Sequence, residues 1–133
     1  MAFVLDVSVA VGWVVATQAS AYGKRLRLRA KREPYHAPVL WRLEVVNAVR
    51  VLEKRRRMTP DAAEIAVDIL DRMQPIFHDA PISLAESLKL ARRYDLSAYD
   101  ASYLALALEL HLPIACTDGA LRSALGRAGV KLA

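Results

Sequence analysis

The chain has 133 residues, of which 55% are hydrophobic, and it carries a formal net charge of +5 at neutral pH. That length fits one domain with a single core, and that composition excludes global disorder. No apolar run reaches the roughly 18 residues that a membrane-spanning helix needs, and the apolar start lacks the basic segment of a signal peptide. The single cysteine, Cys116, excludes an internal disulfide framework and fits a reducing compartment. We therefore expect one cytoplasmic domain over residues 1–133, without membrane contact.

The first half of the chain begins with a strand candidate at residues 3–5, which ends at Asp6. Pro34 and Pro38 interrupt the helical pattern and leave room for a short extended piece between them. The spacing of the apolar residues on either side of this break predicts helices over residues 8–17, 19–32 and 39–57.

The second half of the chain opens with Thr59 and Pro60, a side-chain cap followed by proline at the first helical position. This pair predicts a helix that runs to residue 73. Further helices are expected over residues 83–94, 97–110 and 119–128, and strands over residues 75–78, 113–116 and 130–132. Short strands that alternate with helices imply parallel pairing through crossover connections. We therefore predict a three-layer α/β/α fold with a central parallel sheet of four to five short strands.

Four carboxylates occupy positions that suggest a shared pocket. Asp6 and Asp118 each follow a predicted strand, and ligands of parallel sheets bind beyond the carboxyl ends of strands. Glu44 lies outside the polar arc of its helix, and Asp100 points away from the few polar residues of a largely apolar helix. A carboxylate in an apolar sector must be paired, protonated or bound to a metal ion. These positions predict one acidic site.

Helix capping is the competing explanation for three of these acids. Asp6 and Asp118 each precede a predicted helix, and Asp100 follows Ser97 at the spacing of a capping box. Glu44 is in the middle of its helix and has no such alternative. Capping and metal binding can also coexist, because a helix N-terminus helps to keep a carboxylate ionised.

Oxygen ligands without histidine or thiolate at ligand spacing favour Mg²⁺ or Mn²⁺ over Zn²⁺. Such ions can activate water, orient a phosphodiester and stabilise the leaving oxygen. The three histidines, His36, His78 and His111, are too scattered in the sequence to suggest a catalytic set. Cys116 lies in an apolar segment, where a free cysteine usually behaves as a small hydrophobic residue. The expected chemistry is therefore metal-dependent hydrolysis of a phosphodiester.

Basic residues are concentrated in two segments, six of them within residues 24–32 and four within residues 54–57. Contacts with a nucleic-acid backbone would explain both segments. A solvated helix face and a helix C-terminus that attracts cations would explain them equally well. The two interpretations are compatible, and the sequence leaves both open.

Four segments of the chain resemble the ordered motifs of PIN domains, most closely those of VapC-type toxins from prokaryotic toxin–antitoxin pairs. The segments are VLDVSVAVGW, APVLWRLEVVNAV followed by RRRMT, LSAYDASYLALA, and PIACTDGALRSALGRAGVKL. Each motif is weak alone, whereas the four in this order and spacing are fairly specific. Together they cover most of the chain.

The resemblance implies a PIN-like fold with a catalytic, metal-binding quartet formed by Asp6, Glu44, Asp100 and Asp118. Ser8 and Asn47 match polar positions that usually support the first aspartate and the glutamate. The resemblance also implies Mg²⁺- or Mn²⁺-dependent endoribonuclease activity, a homodimer, and inhibition by a cognate antitoxin protein. Cys116 departs from the family pattern, because Thr or Ser is common two positions before the last aspartate. A thiol is a weaker hydrogen-bonding group, so Asp118 is expected to be less firmly supported.

Two other classes of function remain as alternatives. A PIN fold could bind RNA or a protein without cutting, although such a module has no reason to retain four mutually repelling acids. A phosphotransfer protein could use Asp6 as its phosphate acceptor. Such proteins usually carry a second acid next to that aspartate or two residues after it, where this chain has Val7 and Ser8.

Overall fold

The computed structural model describes residues 1–117 and 119–133, so the predicted site residue Asp118 lies outside the described residues. The strands are β1 (Phe3–Leu5), β2 (Tyr35–Pro38), β3 (Ile76–His78) and β4 (Ile114–Ala115). They form one sheet in the order β3-β2-β1-β4, and every pairing is parallel. The predicted parallel sheet of four to five strands is therefore confirmed.

Seven α-helices lie within the described residues: α1 (Val7–Val14), α2 (Ala21–Ala30), α3 (Trp41–Lys54), α4 (Pro60–Asp71), α5 (Leu84–Tyr94), α6 (Ala98–Leu110) and α7 (Ala120–Ala128). Helix α1 contacts α2, α3 and α4, whereas α6 contacts α5 and α7 and packs on β1, β2 and β4. The result is the predicted three-layer α/β/α arrangement. None of the helices described is long and apolar enough to cross a membrane.

Short polar side chains set the beginnings of several helices. Ser20, Thr59, Ser83 and Ser97 each accept a hydrogen bond from a backbone N–H in the first turn of α2, α4, α5 and α6, respectively. The apolar residues of α6 then pack into the core, where the run from Tyr103 to Ala107 is buried. Sequence and packing therefore agree on the position of α6, which carries one of the predicted site acids.

Two predicted helices are shorter in the structure. The helix predicted from residue 8 to 17 ends at Val14 and is followed by a 3₁₀ turn over Ala16–Gln18. Gly12 allows this turn to approach, because a Cβ there would lie 2.7 Å from the carbonyl oxygen of Gln18. The helix predicted over 39–57 spans Trp41–Lys54, since Pro38 belongs to β2 and Arg56 adopts a left-handed conformation.

The last predicted strand, over residues 130–132, is reduced in the described residues to a single parallel bridge between Leu132 and Ile114. The amide of Ile114 donates to the carbonyl of Lys131, and the amide of Ala133 donates to Ile114. The chain therefore touches the edge of β4 without forming a regular ladder.

The direction in which successive strands are added to the sheet reverses at β1. After β1, the chain adds β2 and β3 on one side, and it then returns to place β4 on the other side. In open parallel sheets, the crevice for a ligand lies outside the carboxyl ends of the strands at such a switch point. This crevice lies between the ends of β1 and β4, where Asp6 and Thr117 follow the strands.

Candidate active site

Asp6 is held at the end of β1 by the residues that begin α1. It is the N-cap of α1, and its Oδ2 accepts a hydrogen bond from the amide of Ser8 at 3.2 Å. The hydroxyl of Ser8 donates to the same oxygen, and that hydroxyl in turn accepts a hydrogen bond from the amide of Thr117 at 3.1 Å. Ser8 therefore joins Asp6 to the end of β4. Capping by Asp6 is real, and it orients the carboxylate at the switch point.

Asp100 lies in the first turn of α6, which Ser97 caps. The hydroxyl of Ser97 accepts a hydrogen bond from the amide of Asp100 at 3.1 Å. The carboxylate of Asp100 is half-buried and makes no hydrogen bond or ion pair with any other residue in 1–117 or 119–133. Only the Ser97 half of the predicted capping box is therefore formed, and the Asp100 carboxylate remains available to a ligand.

Glu44 projects from the first turn of α3 and meets α6. Its Oε1 accepts a hydrogen bond of 2.7 Å from the hydroxyl of Tyr103. Tyr103 is fully buried, whereas Glu44 is half-buried. The sequence-based expectation that Glu44 lies off the solvated face of its helix agrees with this position. Its expected place in the middle of the helix is wrong, because α3 begins at Trp41.

The pKa values of all three described carboxylates are raised, and for two of them neighbouring carboxylates contribute. Burial raises the pKa of Asp6, the Ser8 hydrogen bonds oppose that rise, and the negative charge of Asp100 adds to it. Burial also raises the pKa of Glu44, the Tyr103 hydrogen bond opposes that rise, and the charges of Asp6 and Asp100 increase it. Burial alone raises the pKa of Asp100. Each carboxylate would therefore be stabilised by a nearby cation.

The chemistry of these donors suits a hard divalent cation, because all are carboxylate oxygens. Among residues 1–117 and 119–133, no group of three His, Cys, Asp or Glu side chains is arranged to enclose a metal ion. Mg²⁺ usually retains several waters and is bound through only one or two carboxylates, so a preformed three-residue cage is not required. The donor type of Asp6, Glu44 and Asp100 therefore suits an ion of this class, although the three side chains do not form a preformed site. Asp118 lies outside the described residues.

Two further residues were singled out in the sequence, Cys116 and Asn47. Cys116 is buried, and its burial raises the pKa of the thiol to about 12, with Asp6 adding to the rise. The thiol therefore stays protonated at neutral pH, which makes it a poor nucleophile. Asn47 is exposed, and no hydrogen bond from its side chain reaches another residue described in the structure.

The sequence did not reveal three features of the structure. The first is Tyr103, although it lies three residues after Asp100 and hence on the same side of α6. The second is the Thr117 amide that fixes Ser8, which no side-chain pattern could indicate. The third is a contact between His36 Nδ1 and His78 Nε2 at 2.9 Å, so two of the histidines treated as scattered are in fact paired.

A cleft of about 580 Å³ opens beside the site, and its lining includes Ser8, Thr117, Thr17 and Gln18. A second depression is also lined by Thr17, and it contains Arg57 of the basic segment at residues 54–57. We refer to the two depressions together as the Thr17 groove.

Comparison with known proteins supports the fold. A family model described as PIN domain matches residues 3–124. The crystal structure of PAE2754 from Pyrobaculum aerophilum is similar, with a TM-score of 0.68 and 22% identity over 93% of this chain and 79% of that one. VapBC2 from Rickettsia felis, bound to a DNA fragment from its promoter, gives a TM-score of 0.64 and 14% identity over 100% of this chain and 98% of that one. No curated protein shows significant sequence similarity.

Proposed function

Because this chain belongs to the PIN domain family, we propose that it is a Mg²⁺- or Mn²⁺-dependent endoribonuclease and the toxin of a toxin–antitoxin pair. The observation that carries the proposal is the set of mutually repelling carboxylates at the switch point of the sheet. The charge of Asp100 acts on Asp6, and the charges of Asp6 and Asp100 act on Glu44, so a nearby cation would stabilise these carboxylates.

In the proposed reaction, Asp6, Glu44 and Asp100 hold the metal ion, with Asp118 as a fourth ligand inferred from the sequence. When bound, a divalent ion supplies positive charge for the phosphodiester and lowers the pKa of water. The protein keeps the Asp6 carboxylate oriented through Ser8, and Glu44 accepts a hydrogen bond from the hydroxyl of Tyr103. The half-buried setting of Glu44 and Asp100 limits competing solvation, and this strengthens their attraction for the ion.

The Thr17 groove supports the proposal that the substrate is a polymer. Its lining includes Ser8, which is hydrogen-bonded to Asp6 and to the amide of Thr117, and Arg57 of the basic segment 54–57. Cations placed along a groove attract a phosphate backbone whatever its sequence. The choice of RNA as that polymer rests on the resemblance of the sequence motifs to VapC-type toxins.

The same resemblance supports the partners that we propose. The Rickettsia felis structure contains VapBC2 on promoter DNA. By analogy, we propose that a cognate antitoxin protein inhibits this chain, and that the chain acts in the cytoplasm as a homodimer.

Cleavage of an RNA pool with Mg²⁺ or Mn²⁺ tests the proposed activity directly. The wild type is compared with Asp6→Asn and Asp100→Asn, each of which removes one carboxylate charge while retaining the size of the side chain. Asp79→Asn is a matched control, because Asp79 is an exposed acid that also follows a strand, β3, but lies away from the switch point.

We expect cleavage only with metal, a loss of about 100-fold or more in both site variants, and no change in Asp79→Asn. Changes to groups that merely support metal ligands already cost roughly 10–100-fold, so direct ligands should cost at least as much. Absence of cleavage by the wild type, together with absence of Mn²⁺ binding, would favour a non-catalytic PIN module. Equal activity of all four proteins would point to a contaminating nuclease.

A further inference from the structure

We propose that Tyr103 is a positioning residue that holds Glu44 in place for the metal ion, an inference that rests on the proposed function. The geometry is direct, because the Tyr103 hydroxyl donates to Oε1 of Glu44 at 2.7 Å. Glu44 belongs to α3 and Tyr103 to α6, so the bond joins two helices through residues that are 59 positions apart in the sequence.

The burial of Tyr103 shows that its hydroxyl has a specific partner. The side chain is 0% exposed, so solvent water does not replace Glu44 as the hydrogen-bond partner of the hydroxyl. A hydroxyl buried without a partner destabilises a core, and phenylalanine would fill the same space without that cost. Packing alone therefore accounts for the ring of Tyr103 but not for its hydroxyl, which serves Glu44.

Glu44 needs such a restraint because its neighbours repel it. The negative charges of Asp6 and Asp100 both act on Glu44, which is half-buried and could rotate outward towards solvent. The bond from Tyr103 opposes this movement by fixing Oε1 and leaves Oε2 for a ligand. A site without a bound ion thereby keeps its carboxylates close together, which lowers the cost of organising them when the ion binds.

Helix α6 has two functions in this arrangement. It supplies Asp100 as a candidate ligand, and one turn later it supplies the tyrosine that restrains a second candidate ligand. Because Asp100 and Tyr103 lie three residues apart on the same side of α6, the helix holds the Tyr103 contact with Glu44 close to the Asp100 carboxylate. Support of this kind is expected to tune metal affinity.

Mn²⁺ binding measured by calorimetry tests this role without relying on cleavage. Tyr103→Phe removes only the hydroxyl, and Tyr99→Phe makes the same change on the same helix at a residue that is 63% exposed. Glu44→Gln and the double variant Glu44→Gln with Tyr103→Phe complete a double-mutant cycle. Thermal unfolding of each metal-free variant establishes that it is folded at the temperature of the titration.

We expect the Kd for Mn²⁺ to rise by about tenfold or more in Tyr103→Phe and to stay unchanged in Tyr99→Phe. In the Glu44→Gln background, the loss of the Tyr103 hydroxyl should change the Kd by less than about twofold, because the group that it positions is already altered. A residue that only fills the core would leave the Kd unchanged in both backgrounds, since phenylalanine keeps the ring.

Two results overturn the inference while leaving the proposed function intact. One is a Kd for folded Tyr103→Phe within about twofold of that of the wild type. The other is an equal loss in the wild-type and Glu44→Gln backgrounds, which would show that Tyr103 acts through another group. Failure of the wild type itself to bind Mn²⁺ overturns the proposed function and this inference together.

Discussion

The two basic segments look alike in the sequence but differ in the structure. On α2, Arg29 pairs with Glu33 at 2.9 Å and lies 5.1 Å from the centre of the Phe3 ring. Arg27 lies over Trp13, at 5.8 Å from its ring. By contrast, Lys54, Arg55, Arg56 and Arg57 are exposed and make no ion pair or ring contact within residues 1–117 and 119–133.

This difference separates cations that hold the fold together from cations that remain available to a ligand. Several arginines of α2 fasten that helix to the aromatic side chains beneath it. The segment 54–57 follows the end of α3, and its Arg57 lines the Thr17 groove. The number of positive charges is therefore a poor guide to the position of an RNA path, whereas their contacts are informative.

The largest effect is expected when Arg55, Arg56 and Arg57 are replaced by glutamine. RNA affinity should fall by roughly tenfold or more, and the slope of log affinity against log salt should become shallower by about 2, or about 0.7 for each lost phosphate contact on a single strand. Fluorescence anisotropy in an Asp100→Asn background measures both quantities, because that variant is expected to bind RNA without cutting it.

The matched control replaces Lys24, Lys31 and Arg32 of the first basic segment by glutamine. These residues are exposed, and the change in net charge is the same. None of the three lines the Thr17 groove, so affinity should fall by less than about threefold, because only the long-range field changes. An equal loss in both triple variants would show that the whole basic surface attracts RNA, and that the contrast between the segments has no functional meaning.

A smaller and different effect is expected for Arg29→Gln. The substitution removes a cation from the Phe3 ring, so the free energy of unfolding should decrease by about 1 kcal/mol. It also removes the partner of Glu33. RNA affinity should remain within about twofold of that of the wild type. Denaturant unfolding and the same anisotropy assay distinguish the two properties, with Lys31→Gln as the control for loss of a cation. A loss of RNA affinity without a loss of stability would show that Arg29 binds RNA and does not stabilise the fold.

The smallest effect concerns the imidazole of His36, which is a cation only when it is protonated. Its pKa is lowered, first by burial and then by the charge of His78, so the folded state favours the neutral ring. The resulting stability is fully present above the ordinary imidazole pKa of about 6.5 and is lost as the pH falls below it towards the lower pKa of the folded state. The wild type should therefore lose more stability between about pH 8 and about pH 5 than His36→Gln does.

The readout is the difference between the two proteins, because the raised pKa values of Asp6, Glu44 and Asp100 act in the opposite direction. These carboxylates favour the protonated form in the folded state, so they add stability as the pH falls. They are present in both proteins and cancel in the comparison. Parallel pH curves for the wild type and His36→Gln would show that the His36–His78 contact contributes nothing to acid sensitivity.

Local patterns in the sequence were enough to predict the layers of the fold and the surroundings of Asp6. The alternation of short apolar segments with helical ones predicts a parallel sheet, and the sheet has that form. Asp6 follows β1 and caps α1, a relation that involves only neighbours in the chain. Ends of elements were less predictable, as Gly12 shows: the turn at Gln18 packs against α1 there, a tertiary contact that apolar spacing does not encode.

Contacts between distant residues were not predictable, because they depend on strand register and helix packing. His36 and His78 are 42 residues apart and meet only because β2 pairs with β3. Tyr103 meets Glu44 only because α6 packs where α3 begins. The sequence therefore indicated which residues could form the site, whereas the groups that hold them in place required the structure.

The strand order also has a consequence for the timing of synthesis. A chain made from its N-terminus can pair β1, β2 and β3 while α6 and β4 have yet to leave the ribosome. At that stage Asp6 and Glu44 exist without Asp100, and Ser8 lacks the amide of Thr117. The proposed site is complete only after β4 has inserted beside β1, so a nascent or prematurely terminated chain lacks part of that site.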